Sequence, residues 1–422
     1  MPTPVRARAD ACPGVFAPHD AADGALARIR LPGGVVTAAQ LRVLAACARD
    51  LGDGAVHLTS RGNLQLRGLD RDDPALAERL GATGLLPAPS HERVRNILAS
   101  PLSGYRGGLA DVRGLTRALD RDLCARPALA GLPGRFLFAL DDGRGDVAAE
   151  GPDLCWRALD RGVGTLLVAG YDTGLRVPAG EAVDALLRAA EAFLALREAD
   201  GVPAWRVHEL DDAPARIAAA LRGPHTDTDT DTDDRLRDDR PPAGPAAPSA
   251  SAAGPGPAAV GPHLPIGPVT QDDGGRAVGV APVLGELTAA QVRLLADLAP
   301  AAVVTPWRTI LLPDLPDPTP DALHRLREAG LVVNPGAAAL GVSACAGRPG
   351  CAKALADVRA DTRAALEAGL PVRGRAHVVG CARRCGAPNG PHTDVVAEAD
   401  GYRVDGTWVP VGRLAAALRG TT

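Results

Sequence analysis

The 422-residue chain reads as an α+β protein built on an internal duplication, and three observations predict it. Thr37-Ala-Ala-Gln40-Leu-Arg-Val-Leu-Ala-Ala recurs as Thr288-Ala-Ala-Gln291-Val-Arg-Leu-Leu-Ala-Asp. Each copy lies between apolar stretches of strand character. Each is then followed by a matched turn, Thr59-Ser60-Arg61 in one and Thr305-Pro306-Trp307-Arg308 in the other. Strand–helix–strand–strand written twice argues for two related α+β units rather than one continuous sheet.

In chain order, 27–31 predicts an extended apolar segment, and Thr37 with Gln40 a capping box that satisfies the first backbone donors of a helix. Leu41, Leu44, Ala45 and Ala48 then recur at helical spacing and give that helix one apolar face. Strands follow at 55–59 and 64–66. Residues 132–140 read as a turn entering a buried strand, and 181–197 as a long helix. The tract 224–262, Asp-Thr repeats and then Pro, Ala, Gly and Ser, lacks the apolar surface to offset its ordering entropy and reads as a disordered linker. Its Asp-Thr repeat is not a calcium loop, because the glycine at the sixth position and the glutamate at the twelfth are missing. The second unit repeats the pattern: a strand at 277–283, a helix from Thr288 with Val292, Leu295, Ala296 and Ala299 on one face, and strands at 301–305 and 310–312. A helix at 354–368 and a strand at 377–380 complete the expected set.

Composition excludes several functions. Charged residues are 23%, hydrophobic residues 46% and the net charge −4, which argues against a general binder of nucleic acid or membrane surfaces. No apolar run approaches the ~18 residues of a membrane span, and residues 1–23 show no secretion signal. Eight cysteines without an export signal lead us to expect a cytoplasmic protein whose thiols serve metals or catalysis. Cys12, Cys47, Cys124 and Cys155 are dispersed, and Cys47 falls on the apolar side of its helix.

The remaining four stand as Cys345-x5-Cys351 and Cys381-x3-Cys385. Four thiolates at this spacing, with small, turn-prone linkers, suit an iron–sulfur cluster. A structural zinc site more often separates its first pair by two to four residues. Gly143-Arg-Gly145-Asp-Val-Ala148 matches a dinucleotide loop only loosely, and Gly151-Pro152 leaves no room for the helix such a loop needs, so electrons come from a partner. Arg28 and Arg30 alternate along one strand and share a face, while Arg61, Arg67 and Arg95 stand near strand ends. Guanidinium groups grip carboxylates bidentately. Lys353 is the only lysine, however, so an isolated arginine is weak evidence here.

Taken together, Arg28-Ile-Arg30-Leu-Pro-Gly-Gly, Leu58-Thr-Ser-Arg61-Gly-Asn-Leu-Gln65-Leu-Arg67-Gly, Arg95-Asn96 and the paired cysteines resemble the sulfite/nitrite reductase superfamily over nearly the whole chain outside the linker. The resemblance implies duplicated ferredoxin-like units and two reductase-type α/β domains around a pseudo-twofold axis. The expected organisation is a first half-domain at 1–80, a reductase-like domain at 81–223, the linker, a second half-domain at 263–335, and a reductase-like domain at 336–422 carrying the cysteines. It further implies a 4Fe-4S cluster on Cys345, Cys351, Cys381 and Cys385, and a carboxylate-rich tetrapyrrole held by Arg28, Arg30, Thr59, Arg61, Gln65, Arg67, Arg95, Asn96 and Arg135.

The chain departs from the reductases after Cys381, where Ala382-Arg383-Arg384 replaces the usual Pro-Asn, and at Leu137, where a second basic pocket residue is expected. Those departures, with Cys12-Pro-Gly-Val, Ala204-Trp205-Arg206-Val207, Leu264-Pro-Ile-Gly, Thr305-Pro-Trp307-Arg308 and Ser343-Ala-Cys345-Ala-Gly-Arg-Pro-Gly-Cys351, look like the precorrin-3B synthase branch. That likeness implies a monooxygenase of cobalamin biosynthesis that hydroxylates precorrin-3A at C20 with O2 and forms a γ-lactone. It also implies an external electron donor (an NADH-linked reductase or a ferredoxin) and a second, mononuclear non-heme iron. Candidate ligands for that iron are His19, His57, His91, His377 and His392. The alternatives are a siroheme-dependent sulfite or nitrite reductase and, from another class, a non-catalytic iron–sulfur electron carrier.

Overall fold

The computed structural model describes residues 12–222, 265–316, 319–368, 374–388 and 390–418. The expected linker at 224–262 lies outside them.

Both capping boxes form. The Thr37 hydroxyl accepts from the Gln40 amide and the Gln40 side chain from the Thr37 amide, starting the helix Ala38–Leu51. Thr288 and Gln291 do the same for Ala289–Leu298. The helices pack on each other through their predicted apolar faces, and Arg42 reaches across to the Ala296 carbonyl at 2.9 Å.

Beneath them lie two antiparallel five-stranded sheets that exchange an edge. The first runs His19–Ala21, Gly24–Ile29, Leu64–Leu69, Ala55–Leu58, and then Glu286–Thr288 from the other half. The second runs Gly267–Thr270, Arg276–Val280, Ile310–Leu312, Ala301–Val304, and then Val35–Thr37 from the first half. One apolar core serves both, drawing on residues from Val15 to Leu85 and from Val278 to Leu331.

A third sheet joins Ile97–Ala99, Phe138–Asp141 and Leu154–Ala158 in parallel, then Val163–Val168 and Tyr171–Pro178 antiparallel. A fourth repeats that plan with Val342–Ala344, Ala376–Val379 and Thr393–Ala397 parallel, then Gly401–Val404 and Thr407–Pro410 antiparallel. In both, the first parallel crossover carries a helix, Arg113–Cys124 or Val358–Glu367. The long helix Ala182–Ala199 buries Leu186, Leu187, Ala190 and Phe193 against the third sheet. The fold class is therefore the α+β duplication expected. One boundary shifts: the helix foreseen from 354 begins at Val358, where the Asp357 carboxylate caps the Ala360 amide. Among the described residues, no helix is long and apolar enough to cross a membrane.

The strand exchange needs a sharp reversal before each crossing strand. Gly33 and Gly34 take φ of 66° and 74°, and Leu284 and Gly285 take 56° and 70°. A Cβ on Gly34 would stand 2.0 Å from the Val304 carbonyl oxygen. Gly34→Ala is therefore expected to cost about 3 kcal/mol in urea unfolding. Gly54→Ala, with a φ of 85° but open space around it, costs only the backbone strain of about 1 kcal/mol.

Candidate functional site

The first sheet presents a cationic face. Arg28 stands opposite Gln65 in the strand register and donates to its Oε1 at 3.3 Å. Arg28 Nη1 and Arg30 Nη2 both point at the Cys12 sulfur, 3.6 and 3.5 Å away. The segment carrying Cys12 is anchored where the Val15 amide donates to Glu92 at 2.8 Å. Gly14 is required there, because a Cβ would come within 2.2 Å of the Glu92 carboxylate.

The charges on this face do not balance. Arg30 is 1% exposed, and burial, with Arg28 and Arg61 nearby, lowers its pKa to about 10 against the pull of Cys12 and Glu92. Arg61 is likewise lowered to about 10, by burial first and then by Arg206 and Arg28. The Nε atoms of Arg28 and Arg30 are buried without a hydrogen-bond partner. Buried ions cost several kcal/mol each unless paired. Arg28, Arg30 and Arg61 lie together on this face, and the fourth guanidinium, that of Arg206, is paired with Asp153.

Several expected pocket residues build the walls instead. The Thr59 hydroxyl accepts from the Arg61 and Asn63 amides and sets the turn that presents Arg61. Asn96 ties that turn to the third sheet, accepting from Asn63 and donating to the Arg93 and Gly134 carbonyls. Arg61 donates to the Arg135 carbonyl at 2.9 Å. The exposed Arg135 guanidinium lies 5.0 Å over the Trp205 ring. Arg95 is consumed internally, bidentate to Asp120 and bonded to the Leu85 carbonyl. Arg67 is bidentate to Asp23, and its Nη2 also donates to the Gly350 carbonyl at 2.8 Å.

That last bond joins the arginine face to the cysteine loops, since Gly350 precedes Cys351. Cys345 is held at three atoms: its amide donates to Val378, its carbonyl accepts from Arg359 Nε at 3.1 Å, and its sulfur accepts from the Gly380 amide at 3.2 Å. A Cβ on Gly380 would collide with Ala354 at 2.5 Å, so only glycine lets the loops close. The Cys385 thiol has the other three for electrostatic neighbours. Burial, then the neighbouring Cys345 and Cys381, and more weakly Cys351, push the Cys385 thiol up against the pull of Arg383. Among the described residues, no three cysteine sulfurs lie within 4.8 Å of one another. Thiolates on one tetrahedral zinc would stand about 3.8 Å apart, from Zn–S bonds of about 2.3 Å. No three of these sulfurs stand as close together as one zinc would hold them.

On the far side of these loops lies a second cationic group. Burial, Arg359 and Arg375 lower the Arg308 pKa. His377 Nε2 donates to the Cys385 carbonyl at 3.1 Å, its Nδ1 pairs with Ser343 Oγ at 2.8 Å, and burial lowers its pKa.

Among the described residues, the five histidines considered for a second iron do not gather at one point. His57 meets Asp53 at 3.0 Å, His91 meets the Arg126 carbonyl, and His19 is exposed, while the His377 and His392 rings lie edge to face with centroids 6.2 Å apart. Among the described residues, the one compact donor group is Asp141, Asp142 and Asp146. It is satisfied from within: Asp141 accepts from the Gly143, Gly145 and Ala148 amides, Asp142 from Arg144, and Asp146 from Ser100. The glycines of the discarded dinucleotide motif serve this turn. Sequence reasoning missed Glu92, Asp153, Arg206 and Asn63 as site residues. Asn63 and Arg206 carried a signal, each standing in a quoted motif, and Arg206 pairs with Asp153 at 2.6 Å.

Residues 19–82 and 269–329 match the family model of the nitrite/sulfite reductase ferredoxin-like half domain. The two matched segments fall on the two halves that exchange edge strands. Ferredoxin–nitrite reductase of Synechococcus elongatus is 40% identical over 140 residues, 31% of this chain and 27% of that protein. Precorrin-3B synthase of a Sinorhizobium species is 32% identical over 138 residues, 32% of this chain and 29% of that protein. Sulfite reductase [ferredoxin] 2 of Mycolicibacterium paratuberculosis is 25% identical over 91% of this chain and 72% of its own. The chain spans under a third of the length of the first curated relatives it matches. The solved NirA protein of Mycobacterium tuberculosis shares the fold, with a TM-score of 0.68 at 20% identity, over 93% of this chain and 79% of that one.

Burial, reinforced by Asp141 and Asp142, raises the Asp146 pKa to about 6. The folded state therefore holds this proton more tightly than the unfolded chain. The stability this proton contributes is full below about pH 4 and is lost as pH rises through about 6. Asp146→Asn is expected to remove that slope and to gain about 2 kcal/mol over wild type at pH 7, read from urea midpoints across pH 4–7.

Proposed function

We propose that this protein is an iron–sulfur oxidoreductase working on a carboxylate-rich tetrapyrrole, and that the macrocycle is its substrate: a precorrin-3B synthase. The carrying observation is the cationic set of buried Arg30 and partly buried Arg28 and Arg61, joined through Arg67 and Gly350 to the loop of Cys345 and Cys351. In this reading the arginines take the acetate and propionate groups, and Gln65 keeps Arg28 aligned for them. Fixing the macrocycle in this way supplies the positioning on which a regioselective attack depends. Cys345, Cys351, Cys381 and Cys385 would hold the 4Fe-4S cluster, which supplies electrons one at a time when bound. The reaction consumes O2, two electrons from an external donor and two protons. One oxygen atom enters at C20 of precorrin-3A, the other leaves as water, and a ring acetate closes the lactone.

Leu137 favours this reading over reduction of a small anion. It is 3% exposed and packs with Leu98, Ala139, Val147 and Cys155, so the wall offers hydrocarbon where a second cation would hold sulfite or nitrite. Arg135, stacked on Trp205, lies on the surface. The second reading, a siroheme-dependent reductase, draws on the 40% identity to ferredoxin–nitrite reductase.

Anaerobic incubation with precorrin-3A and reductant, followed by ¹⁸O2 and mass analysis, is expected to give one labelled oxygen per product. Tightly bound siroheme in the purified protein with nitrite or sulfite turnover would establish the second reading instead. A cluster without macrocycle affinity would indicate an electron carrier. Arg61→Ala separates binding from folding: it should weaken the macrocycle by about 10–100-fold in titration. The same change relieves like-charge burial and should stabilise the ligand-free protein by about 1 kcal/mol.

A further inference from the structure

Glu286 rides on the exchanged strand Glu286–Thr288, opposite His57 in the first sheet, and faces the cluster loops from outside. Its Oε2 accepts from Arg359 Nη1, its Oε1 from Arg363 Nη2 at 2.7 Å, and His57 Nδ1 lies 3.7 Å away. The same Arg359 donates through Nε to the Cys345 carbonyl. Arg359 and Arg363 stand on the helix Val358–Glu367, which leaves the first cysteine loop. One carboxylate from the first sheet's edge thus clamps two arginines of the fourth-sheet domain, and one of them clamps a cysteine ligand's backbone.

We propose that Glu286 is a positioning residue for the cluster: it orients Arg359 onto Cys345 and sets the charge balance at that end of the site. This rests on the cluster assignment above but adds a determinant that none of the cysteine or pocket motifs contains. Without the carboxylate, Arg359 and Arg363 lose the acid they share, and burial with Arg359 nearby already disfavours the Arg308 charge. Net charge and hydrogen bonds around a cluster set its reduction potential, and a more positive surround favours the reduced, more negative state.

The test uses the full chain with its cluster reconstituted, read by potentiometric titration with EPR detection and by iron release to a ferrous chelator. Glu286→Gln keeps the shape and removes the charge. It is expected to raise the midpoint potential and to speed cluster loss by about tenfold, the scale of one charged hydrogen bond. Arg363→Gln removes a positive charge from the same carboxylate and should move the potential downward. A purely structural role would not reverse sign between the two. A wild-type cluster whose potential is unchanged in Glu286→Gln, or shifted in one direction by both variants, overturns this inference alone. A wild-type chain that takes up no cluster overturns the proposed function, and this inference with it.

Discussion

The reciprocal exchange of edge strands is the constraint on which the other features rest. Val35–Thr37 completes the second half's sheet and Glu286–Thr288 completes the first half's. Neither half can leave without unzipping both ladders and exposing a core drawn from each. The exchange demands left-handed backbone at Gly33, Gly34, Leu284 and Gly285, a local strain that the paired strands hold in place. In return it fixes the first sheet, and with it the spacing of Arg28, Gln65 and Arg67.

The site trades stability for capacity. Arg67 and Arg95 each have a carboxylate of their own, Asp23 and Asp120, and act as struts. Among the described residues, Arg28, Arg30 and Arg61 have no dedicated carboxylate partner. The distinction between strut and ligand lies in the partner rather than in the arginine. It explains why a row of similar residues performs two tasks.

Much of this was legible in the sequence, because local chemistry repeats. The capping boxes, the apolar helix faces, the paired strands and the cysteine spacing are signals carried within a few residues. What escaped is long-range. Asp23 lies 44 residues from Arg67, Asp120 lies 25 from Arg95, and Glu286 lies 73 from Arg359. No periodicity reports such pairs. The helix expected from 354 starts late for the same reason. The backbone at 354–356 is taken by the Cys351 carbonyl, the Gly380 carbonyl and the Arg348 amide. The kinship of the third and fourth sheets is likewise a matter of strand order, and their sequences do not advertise it.

That kinship has a chemical consequence. Matching the parallel strands by register sets Val342 against Ile97 and Ala376 against Phe138. Ser100 then occupies the station of Cys345, and the turn after Asp141 that of the second cysteine pair. Where one copy presents soft sulfur, the other presents hard oxygen, with the Ser100 hydroxyl bonded to Asp146 at 2.6 Å. Two corners of one plan thus differ in chemistry: one gathers cysteine-bearing loops, and its twin is closed with the protein's own hydrogen bonds. The two domains share an architecture and differ in what they present at that corner.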